Sequence, residues 1–295
     1  MGHDHNHHSH SDSSNLSIAF FLNLAFTIIE IIGGILTNSV AILSDALHDL
    51  GDSLSLGLAW YFQNLSKKAK DEKYSYGYKR FSLLGAIINS IILTVGSIFI
   101  LQESIPRLFN PDPAEPKGMM VLALLGIIVN GAAIFKLKDD HGMNSKMVSL
   151  HLLEDVLGWV AVLIGSIVMY FFGLPIIDPL LSIAITCFVI YNVIINLRST
   201  LKIILQGTPS SEKLQLVTSY FDNLSDIQGY HDLHLWSMDG SYNVLTSHII
   251  LEHSLPLAQL DELKSKIKED LHQLNIDHCT LEFETSESDC DMNEI

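Results

Sequence analysis

Six stretches of mainly apolar residues, roughly 16 to 36, 40 to 63, 81 to 102, 118 to 137, 147 to 173 and 176 to 197, constrain this chain more than any other feature. Each is about the length a helix needs to cross a hydrocarbon core some 30 Å thick. Because nothing in that layer satisfies backbone N–H and C=O groups from outside, spans of this kind must bond internally as helices. The charged fraction of 17% lies below the roughly 25% of an ordinary soluble domain. The sequence therefore predicts an α-helical membrane protein with six transmembrane helices, in contact with lipid.

After the sixth stretch the composition changes. Residues 207–295 carry 17 Asp and Glu against four Lys, a net of −13 out of −16 for the whole chain. Such a balance argues against nucleic acid, which needs basic patches, and suits attraction of cations. Helical periodicity at about 211–223 and 256–274 alternates with strand-like runs at 230–238, 242–251 and 279–284, predicting an α-β-β-α-β soluble domain. The expected organisation is a leader over 1–14, a membrane domain over 15–206 and a tail domain over 207–295. Lys and Arg near the span ends number eleven on the side of the 64–80 loop and two, Arg107 and Lys117, on the other. By the positive-inside rule both termini face the cytoplasm. The leader is expected to remain uncleaved, since no Lys or Arg precedes the first apolar run.

The second stretch holds a contradiction to its own hydropathy: Asp45, His48, Asp49 and Asp52 fall within eight residues. Offsets of three, four and seven put all four on one helix face. In the fifth stretch His151 and Asp155 repeat the four-residue spacing of His48 and Asp52, with Glu154 beside them. Two helices that each present an imidazole and a carboxylate about 6 Å apart along the axis can converge on one ion as a tetrahedral, zinc-like set. A divalent cation between two carboxylates and two neutral imidazoles gives zero net charge, which offsets the cost of burying each group alone. The ligands bind metal only when deprotonated, so metal and protons compete. Asp45 reads either as a third carboxylate at the mouth of the site or as a helix N-terminal charge; Asp49 and Glu154 read as neighbours of the ligands or as lining for water.

The segments "SDALHDLGD", "YSYGYKR", "HLLEDVLGWVAV" and "DPLLSI", with "GYHDLHLWSMDG" and "HCTLEFE" in the tail, resemble the cation diffusion facilitator family of zinc and cadmium exporters over almost the whole chain. The resemblance implies a homodimeric, proton-coupled antiporter of a bacterial inner membrane that moves Zn²⁺ out of the cytoplasm, with His48, Asp52, His151 and Asp155 as ligands. Cd²⁺ and Co²⁺ are further cargo it implies. It also implies a ferredoxin-like cytoplasmic domain that senses metal, with Zn²⁺ ligands at His231, His248 and His278 and weaker candidates at Asp232 and Glu284. His at both first positions is similar to the zinc and cadmium branch; Asp49 and Glu154 are extra acids beside the motif. His231 and His234, three apart on a regular strand, would not share a face.

The rivals are a membrane metal sensor, an exporter of Mn²⁺ or Fe²⁺, and an intramembrane metallohydrolase. The last lacks an HExxH helix and, with four protein ligands, an open position for catalytic water, so no enzyme activity is expected. The leader "MGHDHNHHSH", with five His in ten residues, reads as a flexible metal-capturing tract. Asn23, Glu30 and Asp178 are candidates either to line the pathway or to bond between helices, and the small residues Ser82, Gly85, Ala86, Asn89 and Gly96 offer a close helix contact, a candidate for one with a second copy. Cys187, Cys279 and Cys290 form no CxxC pair and are expected reduced.

Overall fold

The computed structural model describes residues 9–137 and 143–285; the first eight residues of the leader and Cys290 lie outside them. Six long helices come first: α1 Ser9–Thr37, α2 Val40–Ser66, α3 Phe81–Phe109, α4 Pro116–Leu137, α5 Met143–Phe172 and α6 Ile177–Ile204. Among the described residues four segments are long and apolar enough to cross a membrane, Phe81–Phe109, Pro116–Phe135, Leu152–Phe172 and Ile177–Ile204. The acids of α2 break its apolar run, and the apolar part of α1 counted here, Asn23–Thr37, is short. The chain forms two compact units, one of residues up to 61 with 85–196, the other of 62–84 with 197–295.

In the first unit a buried apolar cluster that includes Phe26, Ile42, Met119 and Trp159 is accompanied by many buried small and polar residues, while much of the outer surface is apolar. On α1, Phe26, Thr27, Glu30 and Thr37 are buried while Ile28, Ile32, Ile35 and Leu36 are exposed, the inverse of a soluble helix and the arrangement that lipid favours. Glycines admit neighbouring side chains. A Cβ on Gly96 of α3 would meet Leu47 of α2 at 2.4 Å, one on Gly126 of α4 would meet the Trp159 indole of α5 at 2.4 Å, and one on Gly33 of α1 would meet Leu122 of α4 at 2.5 Å. Asn89 of α3 donates to Ser55 of α2 at 2.7 Å. Gly96 and Asn89, expected at a close helix contact, serve contacts within the chain.

The start of α2 is held by a residue from far along the sequence. Ser39 Oγ accepts from the Ile42 N–H at 3.2 Å, a helix N-cap, and itself donates to Asp178. The Asp178 carboxylate of α6 also accepts from the Val40 and Ala41 N–H groups at 2.9 and 3.2 Å. A carboxylate at a helix N-terminus satisfies orphan donors and complements the helix dipole. Asp178 therefore bonds between helices. Arg107 of α3 completes the corner by donating to the Asn38 backbone and side-chain oxygens at 3.0 and 3.1 Å. We expect Asp178→Ala to lower stability by about 2 to 3 kcal/mol, the worth of charge-assisted bonds lost from a buried cap. Thermal unfolding of the detergent-solubilised protein checks this, with Asp178→Asn expected to fall between the two.

The second unit contains α7 Ser211–Asp222, β1 Gly229–Ser237, β2 Asn243–Leu251, α8 Leu257–Gln273 and β3 His278–Thr285. This is the expected α-β-β-α-β order. The sheet runs β1-β2-β3, with β1 antiparallel and β3 parallel to β2. Alternate residues of β2, Leu245, Ile249 and Leu251, pack against Val217 and Phe221 of α7 and Leu263, Ile267 and Leu271 of α8, so the helices cover one sheet face. The loop before α3 belongs to this unit. Asp71 anchors it by accepting from the Tyr78 hydroxyl at 2.8 Å and the Lys73 and Tyr74 N–H groups at 2.9 and 3.0 Å. Lys79 lies 4.1 Å from the Tyr242 ring centre, and Tyr76 meets His278 edge to face.

Candidate metal centres

On α2 the predicted stripe forms. Asp45 and Asp49 are buried, His48 and Asp52 are partly so, and His48 Nε2 lies 3.7 Å from Asp52 Oδ2. The backbone supplies this directly, since residues four apart stack on one face. Asp155 on α5 is buried. His151 sits one turn earlier on the α5 helix, its side chain outside the described residues. The two helices approach closely: Asp45 Oδ1 is 3.5 Å from where a Gly158 Cβ would stand, three residues beyond Asp155. Asp45, Asp49, Asp52 and Asp155 lie near enough to feel one another's charge, together with Glu30 from α1.

Glu30 is fully buried and is the acid that sequence reasoning left outside the site. Its seven-residue spacing from Asn23 was the available signal, because Asn23 Nδ2 donates to the Asp49 carbonyl at 3.1 Å and to Ser53 at 3.0 Å. That bond fixes α1 against the stripe, and the same α1 face then carries Glu30 alongside it. Glu154 is exposed on α5, apart from this cluster.

The tail domain gathers a second group. His231, His248 and Glu284 each offer a ligand atom, all within 4.8 Å of one another. His231 stands opposite His248 in the β1–β2 pairing, and β3 brings Glu282 opposite His248 with Glu284 two residues along on the same face. Glu284 Oε1 contacts His231 Nε2 and lies 3.2 Å from His248 Nδ1. Asp232 Oδ2 is 3.6 Å from His248 Nε2, and its Oδ1 is 2.7 Å from His234 Nε2.

The local cause is a β-bulge. Between His231 and His234 the register gains a residue against β2, and Asp232 takes a left-handed φ of 49°. The extra residue turns His231 and His234, paired with His248 and Thr246, to the same face. Simple alternation had put them on opposite faces, so that expectation is corrected. His278 is not with the group. It opens β3 opposite Val244, exposed, against Tyr76. Cys279 beside it packs against the core, where burial pushes its thiol up to about 11. Glu282, whose Oε2 is 3.6 Å from His248 Nε2, was not foreseen; only the strand register reveals it.

Residues 16–205 match the family described as the cation efflux transmembrane domain, and residues 209–286 match the cation efflux protein cytoplasmic domain. The chain belongs to the cation diffusion facilitator family. It is 33% identical to the cadmium, cobalt and zinc/H⁺-K⁺ antiporter of Bacillus subtilis over 97% of this chain and 92% of that protein. It is 33% identical to the metal cation efflux system protein CzcD of Cupriavidus metallidurans over 96% and 90%. Against the zinc transporter ZitB of Escherichia coli the identity is 30% over 99% and 96%.

This diffusion facilitator is an integral membrane protein and a zinc-type cation efflux transporter. The chemistry of its donors fits that class. Imidazole and carboxylate together suit Zn²⁺ and its neighbours, whereas an all-carboxylate set would favour harder ions. Carboxylates crowded inside a bilayer require either a cation or protons among them.

Proposed function

We propose that this chain exports Zn²⁺, with Cd²⁺ and Co²⁺ as further cargo, from the cytoplasm in exchange for protons through His48, Asp52, His151 and Asp155. The observation that carries the reading is the pair of His/Asp spacings on α2 and α5, with Asp45 of α2 set against Gly158 of α5. In this reading α1 to α6 all span the membrane, both termini are cytoplasmic, and two copies assemble through a ferredoxin-like tail domain. The ion is cargo: bound by deprotonated ligands from one side, and displaced as protons enter from the other. Asp45 and Asp49 act beside the four ligands, tuning their charge.

The tail group of His231, His248 and Glu284, with Asp232 and Glu282 near, is proposed to take cytoplasmic Zn²⁺ as a regulatory ligand. His278 is left out of that set by its place at the far end of β3. This ligand cluster keeps metal sensing in view as a second role.

The test is Zn²⁺ flux into sealed vesicles containing only this protein, with and without a pH gradient, beside Cd²⁺ and Mn²⁺. Zinc flux that responds to the gradient supports the antiport reading, and none with any ion would overturn it. We further expect His48→Asp to raise Mn²⁺ flux about tenfold relative to Zn²⁺, because carboxylate for imidazole hardens the donor set. A variant that still rejects Mn²⁺ would place selectivity elsewhere.

A further inference from the structure

We propose that Asn130 of α4 is a positioning residue for the ion site, its side-chain N–H donating to the Asp155 carboxylate during the transport cycle. The inference rests on the assignment of Asp155 as an ion ligand. Asn130 is 7% exposed and its Nδ2 has no acceptor among the described residues. Its neighbours Ile128 and Val129 are exposed, whereas Met119, Ala123 and Gly126 are buried, so the amide is on the inward side of α4. An unpaired buried amide costs about 1 to 3 kcal/mol. A leucine there would avoid that cost, which points to a use for the donor in another state.

The level of Asn130 follows from helix geometry. The Trp159 indole of α5 lies over Gly126 of α4, leaving no room for a Cβ. The connection between these helices is short, so they run in opposite directions. Asn130 is four residues after Gly126, and Asp155 four before Trp159. Both steps move about 6 Å the same way along the pair, and an offset of four keeps each residue on its helix's contact face. Asn130 and Asp155 therefore share a level between α4 and α5.

An amide at that level has a clear task. While the cation is bound, its charge compensates Asp155; between the cation's departure and a proton's arrival, a buried carboxylate needs donors. Asn130 offers one that carries no charge and does not compete for the metal as a carboxylate would. It acts through Asp155 rather than on the ion, so its loss should slow turnover more than it weakens capture.

The experiment compares Asn130→Ala, Asn130→Ser and Asn130→Leu with wild type in sealed vesicles, reading maximal Zn²⁺ flux and KM, with Asp155→Ala alongside. Ala and Leu are expected to lower the maximal rate about tenfold with KM changed less than about threefold, the size of effect seen for groups that orient metal ligands. Ser, close in size to Ala but with an O–H donor, is expected to recover most of the rate. A role in packing alone would leave Leu at the wild-type rate or Ser no better than Ala, and either result overturns the assignment of Asn130. A full rate in Asp155→Ala would overturn the ion-site assignment and this inference with it.

Discussion

Asp155→Ala or Asp52→Ala is expected to reduce Zn²⁺ flux about 100-fold or more while leaving the protein folded in the membrane. In the proposed site, either change would remove both a ligand and one of the two negative charges that neutralise the ion. Leaving a buried charge without its partner costs roughly 3 to 5 kcal/mol, and every 1.4 kcal/mol is about a factor of ten. The fold should survive because the contacts that join the helices lie elsewhere. Asp178 caps α2, Asn23 ties α1 to Asp49 and Ser53, and the Trp159 ring fills the groove at Gly126. Vesicle flux beside a size-exclusion profile of the purified variants separates the two properties. Near wild-type flux in either variant would remove that residue from the ion's path.

Local features were legible in the sequence because they depend on near neighbours. Hydropathy located the helices since each bonds within itself, and the tail's order of elements followed from periodicity alone. The acidic stripe of α2 was legible for the same reason: offsets of three, four and seven need only one helix to become a surface. The repeat of the His/Asp spacing on α5 is local in the same way. What could not be read depended on residues far apart. Asp178 bonds to groups 137 and 138 residues away, so nothing near it in sequence distinguishes a cap from a pathway carboxylate.

The tail shows a subtler failure of the same kind. Two-residue alternation is a property of an unbroken strand, and one bulge at Asp232 reverses it for every residue beyond. Alternation separates His231 from His234, and the local backbone does not follow that rule. Likewise His278 and Glu284 both lie on β3, and only the register with β2 shows which is near His248. His231, His248 and Glu284, which the structure brings together, are each visible in the sequence as residue types. Their grouping was a matter of strand pairing.

Zinc is expected to draw the tail domains of two copies together, in the proposed homodimer, and to do so through His231, His248 and Glu284. The tail sequence carries a net charge of −13, so two such domains repel each other, although salt screens exposed charges beyond about 8 Å. A bound divalent ion reduces that charge at a point where three sheet strands contribute ligands, and it replaces contacts such as that of Glu284 with His231. Binding that is specific to the folded domain stabilises it by about 2.7 kcal/mol at a hundredfold excess over Kd. The same free energy can shift the balance between separated and apposed domains by about 100-fold, provided the ion binds only the apposed arrangement. Distances between spin or fluorescent labels on the tails of the full-length protein, with and without Zn²⁺, measure the shift directly. The wild-type domains should approach, and a His231→Ala, His248→Ala double variant should not. Separation that ignores zinc in the wild type would eliminate the switch, while an equal approach in the double variant would move the regulatory site away from the β1–β2–β3 cluster.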